Sequence, residues 1–377
     1  VVDLTRELVR FPTVNPPGNE RESAEFLGRR MEEMGLEVEV QTIAEQRANV
    51  LGRIRGRGEG PSLVLTGHLD VVPPGGQAWT RPPFDAVLED GRIYGRGSCD
   101  MKGGVAAMVA AAATLVRDGF RPQGDIVLAC TAGEEAGLQG ALVMVERRSL
   151  EGAGFLVVAE PTDLNVYIGE KGVLWLRIFM RGRTAHGSMP WLGANAVSAM
   201  AQLIPALEAY PFPFKENILL GKPTLSVNVI EGGNKLNVVP DLCRMDVDLR
   251  TVPGQSHADI VAQVQSMANH IARSRHPDLR VEVEIDNDQQ PLETHRDDAL
   301  VLATVESVRT VCGRQPQVGG VTFATDAAQL GPAFDIPMVI CGPGASTMAH
   351  QPDEYIEVDQ LIQAVDVYVD LARRLMS

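Results

Sequence analysis

The chain has 377 residues, 45% of them hydrophobic and 22% charged, with a formal net charge of −15. That length exceeds one ordinary core and predicts two domains, and the acidic balance argues against nonspecific binding to nucleic acid or anionic membranes. No uninterrupted apolar stretch nears the roughly 18 residues that span a bilayer, no secretory leader is visible, and five widely spaced cysteines without a CxxC pair predict reduced thiols in a cytoplasmic protein.

Residues 4–34 read as helix with a break at 12–18, since Leu27, Met31 and Met34 recur at helical spacing and Gly35 ends the run. Strands follow at 36–43, 49–54 and 63–66. Residues 102–117 form a buried, alanine-rich helix, and the chain returns to a strand at Ile126. This strand-helix-strand rhythm predicts an α/β fold built on a mainly parallel sheet with helices on both faces. Around Val173 the pattern changes. Alternating strands at 173–180, 224–230, 242–249 and 279–285 are interleaved with helices at 195–210 and 257–273. The order β-α-β-β-α-β is the ferredoxin-like α+β arrangement. An inserted domain is therefore expected at 174–286, between catalytic-domain segments 1–173 and 287–377. Helices at 299–312 and 358–375 and a strand at 338–341 complete the chain.

Histidines and acids recur just past the apolar runs. His68 and Asp70 follow 62–66, Glu134 and Glu135 follow 126–131, Glu160 follows 155–159, and His350 follows 337–341. Asp100 lies in Gly95-Arg-Gly-Ser-Cys-Asp-Met-Lys-Gly-Gly104. In an open α/β sheet the ligand crevice lies beyond the carboxyl ends of the strands, so neighbouring strands would bring these groups together as a metal site. In His68-x-Asp70 the imidazole would be a ligand and the carboxylate would accept its other N–H; a chance surface pair fits the local pattern equally. Asp100 suits a carboxylate bridging two metals or, locally, a helix N-cap. Glu134-Glu135 would split between a general base and a ligand, with a solvated acidic turn as the plain alternative. Cys99 and Cys341 fit small packing residues better than ligands. Two divalent cations, three carboxylates and one hydroxide come close to neutrality, which a buried site requires. The imidazole and carboxylate donors suit zinc, cobalt or manganese.

Gly67-His-Leu-Asp-Val-Val-Pro73, the 95–104 segment, Thr131-Ala-Gly-Glu-Glu-Ala-Gly137, Ala159-Glu-Pro-Thr162, Arg183-Thr-Ala-His-Gly-Ser188, Gly233-Asn-Lys-Leu-Asn-Val-Val-Pro240, Asp248-Leu-Arg-Thr-Val-Pro253 and Ala349-His-Gln-Pro-Asp-Glu354 together resemble the M20 metallopeptidase family. The resemblance implies a zinc-hydrolase catalytic domain with an inserted lid and dimerisation domain. It implies two metal ions, His68, Asp100 and Glu160 holding one and Asp100, Glu135 and His350 the other, with Glu134 as general base beside Asp70. His186 would polarise the scissile carbonyl, often from the partner of a homodimer. Asn237, Arg250 and Thr325 would contact substrate, Arg250 as a carboxylate clamp; by itself Arg250 equally suits an ion pair with a neighbouring acid. The expected activity is hydrolysis of the amide of an N-acyl amino acid, of deacetylase or desuccinylase type. A dipeptidase or carboxypeptidase is the alternative within the family, and a noncatalytic metal- or ligand-binding protein on the same scaffold, which would not need Glu134, the alternative outside it.

Overall fold

The computed structural model describes all residues 1–377. The chain divides into two compact units, the first comprising Val1–Gly169, Glu293–Gly320 and Thr325–Ser377, the second Glu170–Leu292 with Val321–Ala324. The second unit is wider than 174–286. Its strand Gly172–Arg181 starts before Leu174, and its strand Arg280–Gln289 runs past Asp286.

The first unit is built on a nine-stranded mixed sheet whose centre is parallel. Strand Ser62–His68 lies between Ile126–Thr131 and Ala153–Pro161, parallel to both. Met338–Gly342 continues the parallel set beyond Ala153–Pro161. These strands are apolar and buried almost throughout, as strands covered on both faces must be. Antiparallel pairings flank them: Arg47–Ile54 joins Ile126–Thr131 and Glu37–Ala44, and Val166–Glu170 joins Met338–Gly342. Helix Gly103–Arg117 packs over the sheet beside the long terminal helix Val358–Met376. The helical run Ser98–Arg117 is apolar and long enough to cross a membrane by composition, yet 78% of its most apolar window is buried inside the protein, which fits a core helix.

Several elements lie outside those expected, strand Val166–Glu170 among them. Val87–Glu89, Arg92–Tyr94 and Tyr355–Glu357 form a separate three-stranded sheet joining residues more than 250 positions apart. Short helices also stand at Gln139–Glu146 and Ala327–Phe334.

The second unit has the order β-α-β-β-α-β. Its four antiparallel strands lie side by side as Thr224–Gly232, Leu242–Thr251, Gly172–Arg181 and Arg280–Gln289. Alternate residues of the two central strands are buried under helices Ala196–Glu208 and His257–Arg275. Leu176, Ile178, Met180, Met245 and Val247 form the sheet side of this core. Asn195 and Ser256 cap the two helices, each accepting a main-chain N–H three residues on.

Candidate metal centre

The four strands of the parallel set end side by side. Register pairs His68 with Thr131 and Gly342 with Pro161. His68 closes one strand and Glu160 sits at the end of the next. Glu134 and Glu135 stand in a one-turn helix just past Thr131. His350 is carried by the loop after Met338–Gly342. Asp100 comes from the turn ahead of helix Gly103–Arg117. Gly104 in the first turn of that helix lies so close to the Ala159 carbonyl that a Cβ there would fall 2.2 Å from the oxygen. The turn and the strand that ends in Glu160 are therefore pressed together.

Five expected ligands converge. His68 Nε2 lies 3.1 Å from Asp100 Oδ1 and 3.4 Å from Glu160 Oε1. His350 Nε2 lies 3.3 Å from Asp100 Oδ2 and 3.0 Å from Glu135 Oε1. Donor atoms of His68, Asp100 and Glu135 all fall within 4.8 Å of one another. Asp100 thus turns one oxygen to each imidazole, the disposition of a carboxylate shared by two cations. His68, Asp100 and Glu160 are buried, whereas the His350 side chain is half-exposed.

The electrostatics follow from acids crowded away from water. No lysine or arginine forms an ion pair with Asp100, Glu134, Glu135 or Glu160. Burial and then the Asp100 charge push Glu160 up to about 7. Burial, reinforced by the charges of Glu160 and Glu135, pushes Glu134 well above the usual carboxylate range. Burial would raise Asp100 too, but hydrogen bonds to His350 and His68 outweigh it and hold Asp100 low. His350, bonded to Asp100 and Glu135, is pushed up to about 10. Burial opposes the charged form of His68, yet bonds to Asp100 and Glu160 still raise it. Two imidazoles and three carboxylates that lack other cations, with Glu134 beside them, form a donor set that fits divalent ions of the zinc, cobalt or manganese kind.

Asp70 plays a different part from the one expected. The His68 Nδ1 partner is the main-chain carbonyl of Asp70 at 2.9 Å, while the carboxylate stands 3.6 Å away. The assigned strand ends at His68, and beyond it the main-chain carbonyl of Asp70, rather than its carboxylate, meets the imidazole. The fully buried carboxylate accepts N–H groups of Gly133 at 2.9 Å, Glu134 at 3.1 Å and Glu135 at 3.1 Å, and the Asn15 amide at 2.8 Å. It holds the turn that carries Glu134 and Glu135.

The remaining expected residues have these surroundings. Thr325 is wholly buried, and its hydroxyl accepts the Ala327 N–H. In the second unit, exposed His186 places Nδ1 2.7 Å from Ser188 Oγ, and Asn237 is exposed with its main-chain carbonyl accepting the Gly187 N–H. Arg250 donates Nε and Nη2 to the two oxygens of Asp248 at 2.8 and 3.0 Å, the neighbouring ion pair weighed above. Residues that sequence reasoning did not single out are Asn15, Arg96 and Glu354, whereas Asp326 belongs to the Thr325-Asp326 step of the family resemblance. Asp326 is buried, accepts the Thr131 hydroxyl through one oxygen and leaves the other without a partner.

Curated relatives span the whole chain. A probable succinyl-diaminopimelate desuccinylase of Staphylococcus aureus (strain MSSA476) is 30% identical over 406 residues, covering 100% of this chain and 97% of the relative. A succinyl-diaminopimelate desuccinylase of Gluconacetobacter diazotrophicus is 32% identical over 394 residues, with 99% and 96% covered. Among solved structures, the aminopeptidase PepT of Bacillus cereus has a TM-score of 0.81 at 22% identity, covering 99% of this chain and 97% of that one. The YXEP protein of Bacillus subtilis, described as a dinuclear metal-binding peptidase, has a TM-score of 0.76 at 18% identity, with 98% and 96% covered. These likenesses show the fold. The model of peptidase family M20/M25/M40 matches residues 64–374, and the chain therefore belongs to that family of metallohydrolases.

Proposed function

We propose that this protein is a two-metal amidohydrolase that removes the acyl group of an N-acyl amino acid, of deacetylase or desuccinylase type. The observation that carries the reading is Asp100, whose two oxygens face two separate imidazole–carboxylate pairs, His68 with Glu160 and His350 with Glu135. The desuccinylase names of relatives 30–32% identical support the substrate class.

His68, Asp100 and Glu160 would hold one ion and Asp100, Glu135 and His350 the other, with zinc the first choice. When bound, such ions polarise an amide carbonyl and acidify a water. Glu134 is the general base. Its raised affinity for a proton suits a group that takes the water's proton and delivers it to the leaving amine. Asp70 fixes the main chain of that base through the Gly133, Glu134 and Glu135 N–H groups, keeping it preorganised. His186 contributes a hydrogen bond to the developing oxyanion. Arg250 offers a planar fork to the substrate carboxylate, in competition with Asp248. Asn237 and Thr325 complete the substrate contacts. A homodimer through the second unit belongs to the same reading. It is supported by strand Thr224–Gly232, which lies at the open edge of its sheet and is largely exposed.

The test is hydrolysis of N-acetyl-ornithine, N-succinyl-diaminopimelate and a set of dipeptides by zinc- and cobalt-loaded protein. The reading expects kcat/KM highest on an acylated amino acid. A dipeptide turned over faster than every acyl amino acid would overturn it in favour of an exopeptidase.

A further inference from the structure

Glu354 has no exposed surface and lies four residues after His350. Its Oε1 accepts three main-chain N–H groups of the turn that presents Asp100: Gly97 at 3.0 Å, Cys99 at 2.9 Å and Asp100 itself at 3.0 Å. Its Oε2 accepts Nη1 of Arg96 at 2.5 Å. Arg96 is 2% exposed and is the bulkiest side chain so deeply buried in the molecule. Its Nη2 donates toward the His350 carbonyl at 3.3 Å and the Pro73 carbonyl at 3.5 Å, and the Trp79 ring lies 5.2 Å from the guanidinium. His350 has φ +64°, a left-handed conformation that a residue with a Cβ keeps only when its surroundings impose it.

A buried arginine–glutamate pair adds little net stability, because desolvating both ions offsets their attraction. Its position is the informative part. One member grips the turn that carries Asp100, and the other reaches the carbonyl of His350. Asp100 Oδ2 and His350 Nε2 face each other at 3.3 Å. Neither Arg96 nor Glu354 bonds to His68 or Glu160, the opposite pair of donors.

We infer that Arg96 and Glu354 are positioning residues that lock the Asp100 turn to the His350 loop, and so set the affinity of the cation site made by Asp100, Glu135 and His350. The inference rests on the two-metal reading above. Partners that orient ligands in this way typically change metal affinity about 10–100-fold when removed.

The experiment is zinc titration of the whole chain in competition with a chromophoric chelator. Wild-type protein should take two ions per chain; fewer would refute the two-metal reading itself. Arg96→Lys keeps the charge opposite Glu354 but has no second arm for the His350 carbonyl. It should weaken one ion about tenfold or more and leave the other within about threefold. In a His350→Ala background the same substitution should change neither affinity further. Wild-type affinity for both ions, or equal loss of both, overturns the inference. If Arg96→Lys does not fold, Glu354→Asp takes its place. Its shorter side chain keeps the charge but withdraws from the three N–H groups, and unchanged affinity for both ions would overturn the inference equally.

Discussion

Asp70→Asn isolates what the buried carboxylate does, because the replacement has nearly the same shape. The carboxylate accepts four hydrogen bonds, from Asn15 Nδ2 and the N–H groups of Gly133, Glu134 and Glu135. An amide has one accepting oxygen. If that oxygen stays on Gly133 and Glu134, its NH2 faces two donors, the Glu135 N–H and the Asn15 amide. Asn15 can turn its own amide over and accept from the new NH2, but the Glu135 N–H is fixed. One to two buried donors lose their partner at about 1–3 kcal/mol each, so about 1–6 kcal/mol of stability should go. At roughly 2–4 °C per kcal/mol for a unit of this size, Tm should fall by about 2–24 °C. Calorimetry of the metal-free protein reads the stability loss. Initial rates of the metal-loaded protein should show a fall in kcat with little change in KM, since the general base is displaced while substrate contacts remain. An unchanged Tm together with unchanged kcat would refute the account of Asp70 as the clamp of the 133–135 turn.

Three further outcomes follow from the same geometry. Glu134→Gln should leave zinc stoichiometry intact and reduce kcat about 10²–10⁴-fold; normal kcat in a variant with two bound ions would remove Glu134 from its role as base. In metal-free protein, Glu160 and Glu354, raised to about 7, and Asp326, raised to about 6, all by burial first, bind protons in the folded state that the unfolded chain has already lost above roughly pH 4. The folded state therefore binds more protons, and stability should fall as pH rises from 5 to 6.5. A bound cation displaces the Glu160 proton, so the loaded protein should show a weaker fall; identical pH profiles with and without zinc would count against the cluster as the metal site. Finally, inactive His186→Ala mixed with inactive Glu134→Ala should regain part of the wild-type rate if His186 acts in a partner's site, and no recovery in verified heterodimers would assign it to its own chain.

The parallel centre of the sheet was legible because 62–66, 126–131 and 155–159 are short apolar runs, which strands buried on both faces require. The insert was legible for the opposite reason: its strands bury one face and alternate along 172–181 and 242–251. The ligand positions followed, since strand ends in such a sheet meet at one crevice. Helix Ala327–Phe334 escaped because Pro332 stands inside it. The small sheet of three-residue strands escaped because Tyr94 meets Tyr355 from across the chain. Arg96 and Glu354 escaped likewise, being partners 258 residues apart with no local periodicity to mark them.

Asp70 shows where the local rule stops. Residues i and i+2 share a side only while the chain stays extended, and the strand ends at His68. Past that point the carbonyl, not the carboxylate, faces the imidazole. The carboxylate is then free to collect the N–H groups of Gly133, whose φ of +76° starts the turn, and of Glu134 and Glu135. A single residue thereby links both halves of the site: its main chain fixes the His68 ring, and its side chain fixes the base and one ligand. Substitution of its side chain should consequently disturb Glu134 and Glu135 more than His68, a distinction that only the end of the strand, and not the His-x-Asp spacing, could reveal.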